Sequence, residues 1–127
     1  MQGNNLFEYA VIRYVPRPER EEFLNIGVIL YCAPKHFLNM RFALDSDRLT
    51  GFYPGADINE LKEFLHAFEE VCCGHSKTSP ISRLDIAGRF RWLTATRSTI
   101  IQTSKVHPGF CEDPAEKLDQ LQQQLVG

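Results

Sequence analysis

The chain has 127 residues, 43% of them hydrophobic and 24% charged, with a formal net charge of −2. That composition is ordinary for a globular protein folding in water, and the length is that of one domain, residues 1–127, able to bury roughly two-thirds of its unfolded surface without metal or disulfide staples. The small negative charge excludes a whole-molecule attraction to nucleic acid or anionic membrane, so either role would need a local patch.

Residues 1–8 lack the basic start and apolar core of a secretory leader, and no window approaches a membrane span. A cytoplasmic location is the expectation. The first strand is predicted near residues 8–15, with Tyr9, Val11, Arg13 and Val15 on one face and Ala10, Ile12 and Tyr14 on the other. Both faces are largely apolar, which places this strand inside a sheet. The charged, doubly prolyl link from Pro16 to Glu22 reads as a long hairpin connection. It leads into the most apolar run of the chain, Phe23–Cys32, rich in β-branched residues and flanked by prolines. Such a run predicts a central strand buried on both sides. Gly27 in its middle marks a bulge or a close approach of another backbone.

Residues 37–44 alternate Leu38, Met40, Phe42 and Leu44 with Asn39, Arg41 and Ala43, a third strand with one face on the core. Turn-forming residues make 45–55 a loop, packed down through Leu49, Phe52 and Tyr53. Asp57 and Glu60 form a capping signal for the best helix in the sequence, 57–73, which Gly74 ends. Its residues Ile58, Leu61, Phe64, Leu65, Phe68, Val71 and Cys72 share one face. Burying five large side chains there is worth on the order of 10 kcal/mol before entropy is charged. A second helix is expected over 82–94, a short fourth strand over 99–102, and a loop over 104–112. Asp113-Pro114 then starts a last helix with Ala115, Leu118, Leu121 and Leu125 as its apolar stripe. The fold class read from these elements is α+β: an antiparallel sheet of about four strands with two or three helices packed mainly on one face. The first three strands lack the helical crossovers that a parallel sheet needs.

Four cysteines, Cys32, Cys72, Cys73 and Cys111, are read as reduced thiols, because Cys32 lies in the apolar strand and Cys72 on the apolar helix face. Cys72, Cys73 and His75 are close in sequence, but adjacent helical residues point about 100° apart, so no metal site and no cofactor is expected. No P-loop, GxGxxG, GxSxG or HExxH motif occurs. The polar stretch from Trp92 to Gln102 places Arg97, Ser98 and Thr99 between a helix end and a strand, where they can bind an anion or satisfy the turn. Arg13 and Arg41 sit among apolar strand neighbours and either pair with a carboxylate such as Glu22 or Asp45 or line a pocket. With His107, these residues are the candidate ligand- or partner-binding set. Trp92 and Leu93 are expected to anchor the turn in the core. Arg83, Arg89, Arg91, Arg97 and Lys105 are the one basic concentration that nucleic-acid binding would use.

Three blocks, Tyr9–Pro16, Glu22–Tyr31 and Arg89–Gln102, followed by Val106-His107-Pro108-Gly109 and Asp113-Pro114, together resemble domain-of-unknown-function family 3037, a bacterial family. The resemblance covers almost the whole chain. It brings no catalytic residues with it, and it implies a HipA-like kinase as a candidate protein partner, because members are often encoded beside one. Thr96 stands where similar proteins often have proline, which implies a less rigid loop here. Two readings remain open: a non-enzymatic interaction or regulatory module, binding such a kinase or a second copy of itself, and a small enzyme or sensor binding a nucleotide or phosphorylated small molecule through the arginine and hydroxyl cluster.

Overall fold

The computed structural model describes residues 3–95 and 99–127. Among them, β1 (Asn5–Tyr14), β2 (Leu24–Cys32), β3 (Phe37–Phe42), β4 (Ile101–Thr103) and β5 (His107–Cys111) form one antiparallel sheet. The helices are α1 (Ser46–Phe52), α2 (Ile58–Cys72), α3 (Ile86–Leu93) and α4 (Pro114–Leu125). The α+β class and the β1-β2-β3 meander are as the sequence predicts. β2 is buried on both faces from Ile26 to Leu30.

Gly27 fulfils both of its expected roles. The β1–β2 register shifts between Ile12 and Arg13, so that Ile12 faces Gly27 and Arg13 faces Asn25, leaving Ile26 as the extra residue of a bulge. A Cβ on Gly27 would stand 2.4 Å from the Arg41 carbonyl oxygen and 2.9 Å from the Phe42 Cβ, so only glycine lets β3 come this close.

The two faces of the sheet carry separate cores. Ala10, Ile12, Tyr14, Ile29 and Met40 pack against Leu49 of α1, Leu61, Leu65, Phe68, Val71 and Cys72 of α2, and Phe90 and Leu93 of α3. On the opposite face, Phe7, Val28, Leu30, Cys32 and Cys111 pack against Leu118 and Leu121 of α4 and the following Val126. Three helices thus share one face, and α4 alone covers the other.

Two expected loops are ordered elements. Residues 45–55 contain α1, capped by the Asp45 carboxylate, which accepts from the Asp47 and Arg48 amides. At seven residues, with Thr50 and Gly51 inside, α1 is too short to show a helical period. The expected loop 104–112 contains β5, because β1 runs beyond β4 and needs a second partner along the same edge. β4 pairs with Ile12–Tyr14 and β5 with Asn5–Tyr9. Ser104 bridges the break: its amide donates to the Val11 carbonyl at 2.8 Å, and its hydroxyl accepts from the Val11 amide at 2.8 Å.

The expected 82–94 helix is two pieces, a 3₁₀ turn over Pro80–Arg83 and then α3. Leu84 is extended (φ −69°, ψ 160°), and Asp85 starts α3 by accepting from the Gly88 amide at 2.8 Å. The α2 boundaries are as expected. Asp57 accepts from the Glu60 amide at 3.1 Å, and Gly74 leaves the helix at φ +73° with its amide on the Val71 carbonyl.

Candidate functional site

The apolar residues of α2 span an arc of roughly 140° at 3.6 residues per turn. The sheet takes only part of it. Leu61, Leu65 and Cys72 turn into the core, whereas Phe64, Phe68 and Val71, at spacings of four and three, form a row along the flank. Phe68 and Val71 are buried at the inner end of this row, but Phe64 is 45% exposed. Trp92 from the end of α3, 41% exposed, and Ile101 of β4 border the same space. That space is a cleft of about 770 Å³, lined as well by residues 75–79. Its lining is mostly apolar, in the size range of drug-like ligand sites.

Polar groups stand at the rim. Glu63, His66 and Glu70 come from α2, with His66 Nε2 3.4 Å from a Glu70 carboxylate oxygen. The loop contributes His75, Ser76, Lys77, Thr78 and Ser79, and its hydroxyls are partly committed to its own shape. The Ser79 amide donates to the Ser76 hydroxyl at 3.2 Å, and the Ser76 amide donates to the Ser82 hydroxyl at 3.2 Å. This wall is therefore internally braced. The cleft can grip an apolar group between two aromatic rings while charges at the mouth select its flanks.

The residues proposed from sequence do not gather here as a set. Thr99 lines the cleft, and its hydroxyl donates to the Ile101 carbonyl at 2.6 Å. Arg97 and Ser98 lie outside the described residues. Arg41 projects from β3 to Asp119 of α4 at 2.9 Å, an ion pair with a carboxylate other than Glu22 or Asp45. The Arg13 guanidinium stacks on the Phe23 ring, 3.9 Å from its centroid, and burial pulls its pKa down. His107 opens β5, its ring 5.3 Å from that of Tyr9. Arg13 and Arg41 point to the α4 side of the sheet, away from the cleft. Arg89 donates from Nη1 to the Leu84 carbonyl at 2.8 Å.

A family model described as a protein of unknown function (DUF3037) matches residues 9–126. The chain belongs to the DUF3037 family. No curated protein and no solved structure matches it. The family match takes in every element of this DUF3037 protein except the start of β1, so the cleft lies wholly inside the matched region.

Sequence reasoning assigned Phe64 and Trp92 to the core, and the structure places both at the surface. Leu93 is the anchor of the α3 end, fully buried. The signal for Phe64 was the width of the α2 stripe, which exceeds the roughly 100° that one packed face needs. For Trp92 the signal was position: Arg91 and Trp92 both precede the buried Leu93, and a helix cannot turn all three inward. Cys72 and Cys73 also separate, one buried and one exposed, and among the described residues no three potential metal ligands come together.

Proposed function

We propose that this DUF3037 protein is a non-enzymatic interaction module of the bacterial cytoplasm that docks a partner protein in the cleft between α2, α3 and residues 75–79. A HipA-like kinase is the candidate partner. The observation that carries this reading is the pair of exposed aromatic rings, Phe64 and Trp92, lining one cleft together with Phe68, Val71 and Ile101. Large aromatics bordering a desolvated pocket are the usual anchors of protein interfaces. Leaving the Phe64 ring 45% exposed gains nothing for the fold, because the core below is already closed by Leu65.

The test is capture of a HipA-like kinase from the same bacterium by tagged protein, wild type against Phe64→Ala. Wild type is expected to recover the kinase stoichiometrically, and the variant at least tenfold less while melting at the same temperature. Equal capture by both proteins, or none by wild type, overturns the reading.

One observation favours the second reading, a small enzyme or sensor for a nucleotide or phosphorylated small molecule. Thr99 shares the cleft with Lys77 and the hydroxyls of Ser76, Thr78 and Ser79. Trp92 is the only tryptophan in the chain, so its fluorescence reports occupancy directly. A saturable change on titrating ATP or inorganic phosphate would support this reading, and a flat response to both removes it.

A further inference from the structure

The cleft has an asymmetric charge and borders a strand edge with one acceptor already engaged, and together they bear on what fits it. α2 carries Glu60, Glu63, Glu69 and Glu70 against Lys62 alone, a formal −3 with His66 neutral, although the whole chain carries only −2. Two of these carboxylates, Glu63 and Glu70, stand on the cleft itself, against the one ammonium, that of Lys77, among the described lining residues. The floor between them is apolar. An occupant with acidic flanks would bring like charges together, whereas one with lysine or arginine flanks would meet complementary charge.

The edge of the sheet decides the backbone form. β4 borders the cleft as an edge strand, and an open edge would invite an added strand. One of its outward acceptors is instead taken within the chain: the Ile101 carbonyl accepts from the Thr99 hydroxyl at 2.6 Å. Recognition through side chains entering the groove lined by Phe64 and Trp92 does not need that acceptor. A helix delivers these at spacings of three and four residues with its own main chain already satisfied.

We infer that the occupant of the cleft is an amphipathic helix of the partner protein, its apolar face seated between Phe64 and Trp92 and its flanks carrying lysine or arginine toward Glu63 and Glu70. The inference rests on the docking reading above and names the chemistry of the docked segment. A cleft of about 770 Å³ holds several side chains, consistent with two successive turns of one helix face.

Two tryptophan-free helical peptides test it on the full chain, with identical leucine faces and polar faces of lysine in one and glutamate in the other. The lysine peptide is expected to bind saturably by Trp92 fluorescence, at least tenfold tighter than the glutamate peptide. The preference should shrink with added salt and in the Glu63→Gln/Glu70→Gln double variant. Phe64→Ala should abolish binding of the lysine peptide, which separates groove binding from general attraction to an acidic surface. A proline in the centre of that peptide should do the same. Equal affinity for both peptides, or retained binding by the Phe64→Ala protein or the proline peptide, overturns the inference. So does the absence of saturable binding by either peptide. Each of these results leaves the docking reading standing if Phe64→Ala still loses the kinase in the capture experiment, and that reading falls only with the capture result.

Discussion

Single residues settle local conflicts in this molecule by supplying one group where the backbone cannot. Ser104 is the clearest case. Where β4 passes to β5 the ladder along β1 is interrupted, and the Val11 amide would be buried without an acceptor but for the Ser104 hydroxyl. Ser104→Ala is expected to cost about 1–3 kcal/mol, the penalty for a buried donor left unpaired. Urea denaturation measures it, and a change below about 0.5 kcal/mol, the scale of a neutral surface substitution, would show that water reaches Val11. Cys72 is a second case. Burial, with Cys73 beside it, pushes its thiol up to about 12 from an ordinary value of 9.0. The neutral thiol is thus favoured by folding. The stability this contributes is complete below pH 9, where the unfolded chain also keeps its proton, and is lost as pH rises toward about 12. Cys72→Ala is expected to show a shallower loss of stability than wild type over that interval in chemical denaturation at stepped pH. Cys73 is the cysteine that should react first with a thiol reagent, since Cys32, Cys72 and Cys111 are buried, but slowly at neutral pH because burial and the neighbouring Glu69 and Glu70 push its thiol up.

At the scale of elements, β2 depends on its bulge and β5 on its neighbour. The extra residue at Ile26 moves Asn25 to the α4 side, where its Nδ2 donates to the Leu125 carbonyl at 3.2 Å and ties the end of α4 to the sheet. Gly27→Ala drives a methyl into the β3 backbone, which has no flexible end to give way. The expected cost is about 1–3 kcal/mol, as for other overpacked sites. Denaturant melts read the cost, and amide exchange should quicken along β3 more than along β5. A uniform small loss across the sheet would show instead that the bulge relaxes freely. β5 holds Pro108 and Gly109 in a strand, against both propensities. Pro108 is tolerated at an edge where its missing donor blocks further pairing, and Gly109 is required because a Cβ there would meet the Phe7 ring at 2.6 Å.

At the scale of the whole molecule, the sheet is a layer between two cores, and the smaller one rests on α4. Removing residues 113–127 would expose Phe7, Val28, Leu30, Cys32 and Cys111 together, a contiguous apolar face that water does not tolerate. Such a truncation is expected to lose cooperative thermal unfolding and to bind a hydrophobic dye. A sharp transition near that of wild type would show that the α2 face is a self-sufficient core. Much of this plan was legible in the sequence. Alternation along 37–44, the two-sided apolar character of 8–15, the long apolar run of β2, the glycine at its bulge and the Asp57, Gly74 and Asp113 signals follow from local chain physics, so they fixed the meander, α2 and α4. Less of the candidate site was legible. Thr99 was placed within reach of it, but Phe64 and Trp92 looked like core, because apolar character is written in a residue whereas burial depends on what the tertiary fold brings to cover it. The partner of Arg41, the strand at His107–Cys111 and the choice of face for α4 were likewise decided by contacts between residues distant in sequence. A one-dimensional period records which side of an element avoids water, and only the assembled sheet determines which of those sides is left over.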